Sequence, residues 1–443
     1  MPVENAAKKH DQLSEHPALL PYPSKLFVET TTHCNLACSM CVKHAEDSVI
    51  GNDHMSLDTF ARLEPAFDNL QTLILNGIGE PLMHPQLEDF IRRARNRMAA
   101  EATISFQSNG LLLDERRAAS LAEAGLSSVC ISLDAIAPET FRRVRQGGEV
   151  AAVQGAFQAI DKLRRAHAAA PRVGVECVVK QDNLDELPEV IRWAAQQGAG
   201  FAIVTQLMPY DVSQIDQTTY DANTDRAIAL FDKWRRIAAD RGLVFEDYRT
   251  QAWKGDRTRE RRLLDLVEEM ISEARREDVF VHLKQLFERD EAQIEQTEEI
   301  FAKATKVAES FEIDLQLPSV LPQHERKCRF VEDGGAFVAW DGKVHPCYNL
   351  WHGYSCFING WEKSVLPKVF GNINHEPILD IWQRSAWSDF RSNVLRYDYP
   401  YCSNCSVAPC DYIEKEEFEQ DCYIMEEPCG TCLWAMGLLQ CLQ

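Results

Sequence analysis

Residues 25–41 read Lys25-Leu26-Phe27-Val28-Glu29-Thr30-Thr31-Thr32-His33-Cys34-Asn35-Leu36-Ala37-Cys38-Ser39-Met40-Cys41, a short apolar run leading straight into a C-x3-C-x2-C loop. Outward from there, KLFVETT (25–31) is the first of six such runs, followed by TLILN (72–76), ATISFQ (102–107), SVCISL (128–133), VGVECVV (173–179) and FAIVTQL (201–207). Helix-period segments lie between them at 57–67, 85–98, 114–124, 138–167 and 184–197, the fourth broken by Gly147-Gly148. Ser56 and Asp114 stand where N-caps do. Six βα units predict parallel strands joined by right-handed crossovers. Six strands are too few for a closed eight-stranded barrel, so the expected α/β fold is a partial (β/α)6 barrel or an open parallel sheet. In both, chemistry sits at the carboxyl ends of the strands.

The rest of the chain divides by composition. Residues 1–24 form an N-terminal extension, 25–210 the βα core, 211–325 a charged helical insertion, and 326–443 a Cys-rich region of short aromatic and glycine-containing segments. Within the insertion, RDEAQIEQTEEIFAKATKVAESF (289–311) carries apolar residues at helical spacing with charges between, which reads as a solvated helix. At 443 residues, 45% hydrophobic and 26% charged, the composition is that of a soluble globular protein. The formal net charge of −21 argues against nucleic acid and membrane surfaces as partners. The opening MPVENAAKKHDQLSEH has no apolar core, so no secretory signal is read there and a cytoplasmic location is expected. Thiols stay reduced in that compartment, so the clustered ones among the 15 cysteines read as metal sites rather than disulfides.

Thiolates at Cys34, Cys38 and Cys41 can wrap three corners of a 4Fe–4S cube from one loop, leaving one iron open to an exogenous ligand. Zinc is the competing reading, with His33 or His44 completing four ligands. Cys130 and Cys177 lie inside apolar strands and read as core. Asn76-Gly77-Ile78-Gly79-Glu80-Pro81 follows the second run, Gln107-Ser108-Asn109-Gly110 the third, and Ser132-Leu133-Asp134-Ala135 the fourth. Phe141-Arg142-Arg143-Val144-Arg145-Gln146-Gly147-Gly148 comes next. Taken singly, these are turn signals or a surface ion pair.

In this order, the motifs resemble the radical S-adenosylmethionine (SAM) superfamily over about residues 25–208. The resemblance implies a TIM-like partial barrel and a 4Fe–4S cluster whose open iron chelates the amino and carboxylate groups of SAM. Reduction then cleaves the sulfonium and yields a 5′-deoxyadenosyl radical. By the same resemblance, Gly79 and Glu80 hold the SAM amino group, Ser108 and Ser132 contact ribose or carboxylate, and Arg145 forks onto the carboxylate.

The spacing Cys328-x13-Gly342-x4-Cys347, then Cys402-x2-Cys405-x4-Cys410-x11-Cys422, then Cys429-x2-Cys432 and Cys441, resembles the SPASM extension, which binds two auxiliary 4Fe–4S clusters. Asp341-Gly342 reads as a hairpin turn that would bring Cys328 and Cys347 together. The family's interleaving implies Cys328, Cys347 and Cys422 on one cluster, with Cys356 as fourth ligand. Cys402, Cys405 and Cys410 fall on the other, closed by Cys429, Cys432 or Cys441. The gaps of 4 and 11 depart from the family's common pattern, and zinc ribbons remain the alternative.

The segments 345–352, 370–373 and 428–441 are also similar to SPASM proteins described as tungsten-cofactor oxidoreductase maturases. That likeness implies an enzyme acting on a client metalloenzyme or its pterin cofactor, supplied by a low-potential electron donor, flavodoxin or ferredoxin. Two other readings stand beside it. One is radical modification of a ribosomal peptide or protein side chain, which the short 24-residue lead weakly disfavours because it leaves no room for a winged-helix recognition domain. The other is a non-catalytic electron carrier or zinc-stapled interaction protein. The run 411–427, with 8 acids against Lys415, reads as a solvated edge in preference to a dock for a basic partner.

Overall fold

Each of the six apolar runs becomes a strand of one large sheet in the computed structural model, which describes residues 16–46, 48–166, 170–251, 257–402, 405, 410 and 419–443. In chain order the strands are β1 Lys25–Val28, β2 Ala37–Cys38, β3 Thr72–Ile74, β4 Thr103–Ser108, β5 Ser128–Ser132, β6 Arg145–Gln146 and β7 Arg172–Val179. They continue with β8 Phe201–Gln206, β9 Asp314–Gln316, β10 Gly335–Val338, β11 Lys343–His345, β12 Tyr354–Ile358, β13 Trp361–Val365 and β14 Gly371–Asn372. The large sheet runs β14-β11-β10-β1-β3-β4-β5-β7-β8-β9. It is parallel from β10 through β9, and only β11 and β14 run antiparallel. Its two ends do not pair, so the fold is a partial TIM-like barrel. β1 and β8 are buried at every position, as parallel strands covered on both faces must be.

The helices between the strands start where the caps predicted. Ser56 accepts a hydrogen bond from the Thr59 N–H ahead of helix Leu57–Ala61, and Asp114 from the Arg117 N–H ahead of helix Glu115–Ala124. The Gly147-Gly148 break separates helix Pro138–Val144 from helix Val150–Ala166 and makes room for β6 between them.

Two parallel strands lie beyond the six that alternation revealed. β9 adds to β8, and the helix Glu291–Ser310 before it packs along the barrel helix Leu187–Gln196. The stretch 289–311 is therefore barrel and not solvated surface. Its buried stripe is Thr297, Ile300, Phe301, Ala304, Val307 and Ala308, too narrow to stand out among the charges. The helices Asp225–Asp240, Arg257–Arg276 and Leu283–Glu288 keep a separate small core around Phe231, Trp234, Leu266 and Met270.

β10 adds to β1 on the other side and turns through Gly342 (φ +84°) into β11, the hairpin read from Asp341-Gly342. Through this pairing one continuous core runs from Ala18 to Leu442, so residue 326 marks a change of composition without a break in packing. Residues 1–15 of the N-terminal extension and 411–418 of the acidic run lie outside the described residues. Among the described residues no helix is long and apolar enough to cross a membrane.

Candidate functional site

β1 delivers the chain at its carboxyl end into the Cys34–Cys41 loop, which backbone pairing then shapes. Thr32 N–H donates to the Asp53 carbonyl and Asp53 N–H to the Thr32 hydroxyl, each at 2.9 Å, while Cys41 N–H reaches the Cys38 carbonyl at 3.1 Å. Cys38 lies in β2, directly opposite Arg145 in β6. The F-x-x-x-R-x-G-G run thus leaves the end of helix Pro138–Val144 as the strand β6 that pairs with the cysteine loop, and a Cβ on Gly147 would fall 3.3 Å from Leu36.

The three thiols face one another. Burial pushes all of them up, Cys41 to about 11, and their mutual repulsion adds to this. Opposing donors are already in place: the backbone N–H of Leu36 at Cys34, that of Lys43 at Cys41, and the Arg145 guanidinium at Cys38. Clustered, half-buried thiols with N–H donors aimed at sulfur suit a metal that holds them as thiolates. A 4Fe–4S cluster therefore fits this donor set. Neither proposed zinc histidine joins it: His33 stacks on His54 at 4.2 Å, and the His44 Nε2 bonds the Leu36 carbonyl at 3.2 Å. Among the described residues no three His, Cys, Asp or Glu side chains gather closely enough for a single metal ion.

The glycine-rich turn after β3 lies against this loop. A Cβ on Gly79 would fall 2.3 Å from the Thr31 carbonyl oxygen, and one on Gly77 would fall 2.4 Å from the Glu29 side chain. Gly79 and Glu80 donate their N–H groups to the Thr31 and His33 carbonyls at 3.2 and 2.7 Å. Glu80 is 3% exposed, with Oε1 accepting from Leu82 N–H (3.0 Å) and the Ser108 hydroxyl (2.8 Å) and Oε2 from Asn109 N–H (2.7 Å). Burial raises its pKa against those three bonds. The Ser108 hydroxyl is therefore committed to orienting Glu80.

Arg145 pairs with Asp134 through Nε at 2.6 Å and reaches the Cys38 sulfur through Nη1 at 3.8 Å. Burial works against its charge, but Asp134 and Cys38 outweigh it and raise the guanidinium above its ordinary value. Ser132 accepts from the Gln107 amide (3.2 Å), whose carbonyl accepts from Asn76 (3.3 Å), giving a polar row across the ends of β3, β4 and β5.

The C-terminal thiols separate into two groups of four and two outliers. Cys328 and Cys347 each face Cys432, and Cys429 faces both Cys432 and Cys328. Backbone N–H groups of Phe330 and Val331, Asn349 and Leu350, and Trp434 and Ala435 point at the sulfurs of Cys328, Cys347 and Cys432. Cys402 faces Cys405 and Cys422, and Cys422 faces Cys405 and Cys410.

This departs from the interleaving read in the sequence. Cys422 joins Cys402, Cys405 and Cys410, while Cys429 and Cys432 complete the set of Cys328 and Cys347. The cause is the turn Cys429–Thr431, which with Cys432 directly after it places both cysteines beside Cys347. Cys356 sits across β12–β13 from Lys363, and Cys441 has Glu176, Lys25 and Arg329 as its charged neighbours, so neither joins a group. Arg326 lies between the two sets with Nε and Nη1 buried and unpartnered, facing Cys402, Cys429 and Cys432. Orphaned donors beside thiols fit the acceptor sulfurs of iron–sulfur clusters.

Sequence reasoning missed several residues here. Asp134 was in a quoted motif, and only its position opposite Arg145 reveals its part. Glu29, fully buried, accepts from Ile78 N–H and faces the His352 ring, both at 3.1 Å. Nothing in the sequence connects residues 29 and 352.

Residues 28–194 match the radical SAM superfamily, and residues 328–406 match the SPASM iron-sulfur cluster-binding domain. The chain carries a radical SAM core followed by a SPASM domain. This radical SAM protein is 28% identical over 425 residues, 94% of its own length and 96% of the other's, to the tungsten-containing aldehyde ferredoxin oxidoreductase cofactor-modifying protein of Pyrococcus furiosus. It is 29% identical over 230 residues to the GTP 3′,8-cyclase of Rhizobium meliloti, covering 51% of this chain and 62% of that one. Streptococcus suis SuiB bound to S-adenosylmethionine superposes with a TM-score of 0.48 at 12% identity, covering 95% of this chain and 79% of that one. As a radical SAM enzyme with a SPASM domain, the protein uses SAM and iron–sulfur chemistry.

Proposed function

We propose that this enzyme reductively cleaves SAM and uses the radical to modify a metalloenzyme or its tungsten or molybdenum pterin cofactor. The observation that carries this reading is the full-length likeness, 94% of this chain and 96% of the other, to a protein named for modifying the cofactor of a tungsten oxidoreductase. That span takes in the helical insertion and most of the cysteine-rich region as well as the barrel.

The SAM-binding cluster, when bound, supplies the electron that converts SAM to methionine and a 5′-deoxyadenosyl radical. Cys34, Cys38 and Cys41 would hold it, with Glu80 beside Cys34 and Arg145 beside Cys38. A carboxylate held by Ser108, Asn109 and Leu82 suits an ammonium, and a buried guanidinium suits a carboxylate. Ser132, at the tip of β5, accepts from the Gln107 amide at 3.2 Å. The parallel strands exclude water from below, because the core beneath them is closed. Cys328, Cys347, Cys429 and Cys432 would hold one auxiliary cluster, and Cys402, Cys405, Cys410 and Cys422 a second. A flavodoxin or ferredoxin is the fitting donor, and the client metalloenzyme or its cofactor the partner.

The test is anaerobic. Reconstituted enzyme, SAM and dithionite are incubated with an isolated tungsten- or molybdenum-pterin cofactor or the client apo-oxidoreductase, and the cofactor is read by mass spectrometry. A mass change dependent on SAM, with about twelve irons per chain, is expected. An unaltered cofactor alongside a modified cysteine-rich peptide would instead establish peptide chemistry.

A further inference from the structure

Two buried groups, Glu176 and Tyr348, lie near one another and near the half-buried Cys441 without a part in the proposed SAM or cluster sites. Glu176 on β7 is 7% exposed; the Gln107 amide engages its carboxylate, and its Oε2 has no hydrogen-bond partner. Tyr348, the residue after Cys347, is 6% exposed, and its hydroxyl has no hydrogen bond of good geometry although Asn76 lies beside it. Cys441 faces Glu176, and Tyr348 faces both. The tail that carries Cys441 is pinned at the end of β8, where Gln440 N–H donates to the Thr205 hydroxyl at 2.9 Å and Gln206 N–H to the Leu438 carbonyl at 3.2 Å.

The place is the expected one for a substrate. Glu176 is the register partner of Ser132 across β5–β7, so the trio adjoins the row Asn76, Gln107 and Ser132 at the carboxyl ends of the strands. A buried polar atom left without a partner costs about 1–3 kcal/mol. Two of them beside the same hydrogen-bonded pair, Asn76 and Gln107, though 172 residues apart in sequence, mark a group that arrives from outside.

We propose that Glu176 and Tyr348, with Cys441 beside them, form the substrate-facing wall of the barrel, and that they take a heterocyclic lactam edge, an N–H adjacent to a C=O. Glu176 accepts from the N–H and Tyr348 donates to the carbonyl, while Gln107 and Asn76, each both donor and acceptor, fill in beside them. Burial also pushes Glu176 up to about 7, which a donated N–H would reverse. Cys441 then lines the substrate site and is no cluster ligand. This deepens the cofactor-modifying reading and rests on it.

The test titrates the anaerobically reconstituted full-length enzyme with free pterin, a fluorescent heterocyclic lactam, and with N3-methylpterin, whose donor is blocked. Pterin should bind saturably and the methylated form at least tenfold more weakly. Glu176→Ala, Glu176→Gln and Tyr348→Phe should each weaken pterin at least tenfold at wild-type iron and sulfide content, and Cys441→Ala should keep all its iron. The proposal is overturned by absent pterin binding, by equal binding of the two pterins, by unaltered affinity in the Glu176 variants, or by loss of about four irons from Cys441→Ala. Should Tyr348→Phe lose iron, its nearness to Cys347 is the cause and the Glu176 variants decide. Wild-type SAM cleavage without pterin is measured separately; its failure would sink the proposed function without deciding the lactam site.

Discussion

The N-terminal and C-terminal thiol regions solve opposite problems. Cys34, Cys38 and Cys41 are a set of three on a loop that barrel strands hold from outside, with Glu80, Arg145 and Asp134 converging on the open side. The C-terminal eight divide into two sets of four, Cys328, Cys347, Cys429 and Cys432 against Cys402, Cys405, Cys410 and Cys422. Three thiols beside polar, preorganised side chains leave a corner for a ligand to enter. Four thiols close on themselves and suit stapling and electron relay. On the proposed reading, the same residue type would bind a ligand-accepting cluster in one region and staple the chain in the other, with what surrounds the sulfur deciding which.

That contrast breaks most visibly at the C-terminal end. Cys432→Ala should lose about four irons and part of the segment's protease resistance, whereas Cys356→Ala, outside both sets, should lose none; iron and sulfide analysis reads both. Equal loss in the two variants would undo the grouping. At the N-terminal site the effect is one of buried charge. Arg145→Met leaves Asp134 without its cation, and breaking such a pair costs about 3–5 kcal/mol, to be read as a lowered unfolding midpoint together with weaker SAM binding.

The smallest effect sharpens the contrast inside the barrel. Glu176 is raised to about 7 by burial, so the folded state holds its proton more tightly than the unfolded chain does. Its contribution is fully present below an ordinary glutamate's pKa of ~4.3 and is lost as pH rises to about 7. Glu176→Gln should flatten that part of the stability profile of cluster-free protein, measured by thermal unfolding across the window.

Much of this was legible in the sequence because it was local. Strand alternation, the Ser56 and Asp114 caps, the Gly147-Gly148 break and the Asp341-Gly342 turn all act within a few residues, and the structure has each of them. C-x3-C-x2-C was legible because one loop carries it. Pairings set by tertiary closure were not. β9 and β10 are strands of three and four residues whose parallel partners, β8 and β1, come from distant parts of the chain, and no pattern within them says parallel or edge. The membership of Cys422, Cys429 and Cys432 depends on how an irregular chain folds back, which spacing alone leaves open. Glu29 and His352, and the trio Glu176, Tyr348 and Cys441, are likewise contacts between distant segments with no shared motif.

The central claim is that the Cys34–Cys41 loop presents a cluster to which SAM binds and at which it is cleaved. The direct measurement is 5′-deoxyadenosine released on dithionite reduction of anaerobically reconstituted protein, comparing wild type with the Cys34→Ala/Cys38→Ala/Cys41→Ala variant. Release by the wild type and none by the variant, with the C-terminal irons retained, is the predicted result. No release from a fully iron-loaded wild type, or equal release from the variant, would contradict it.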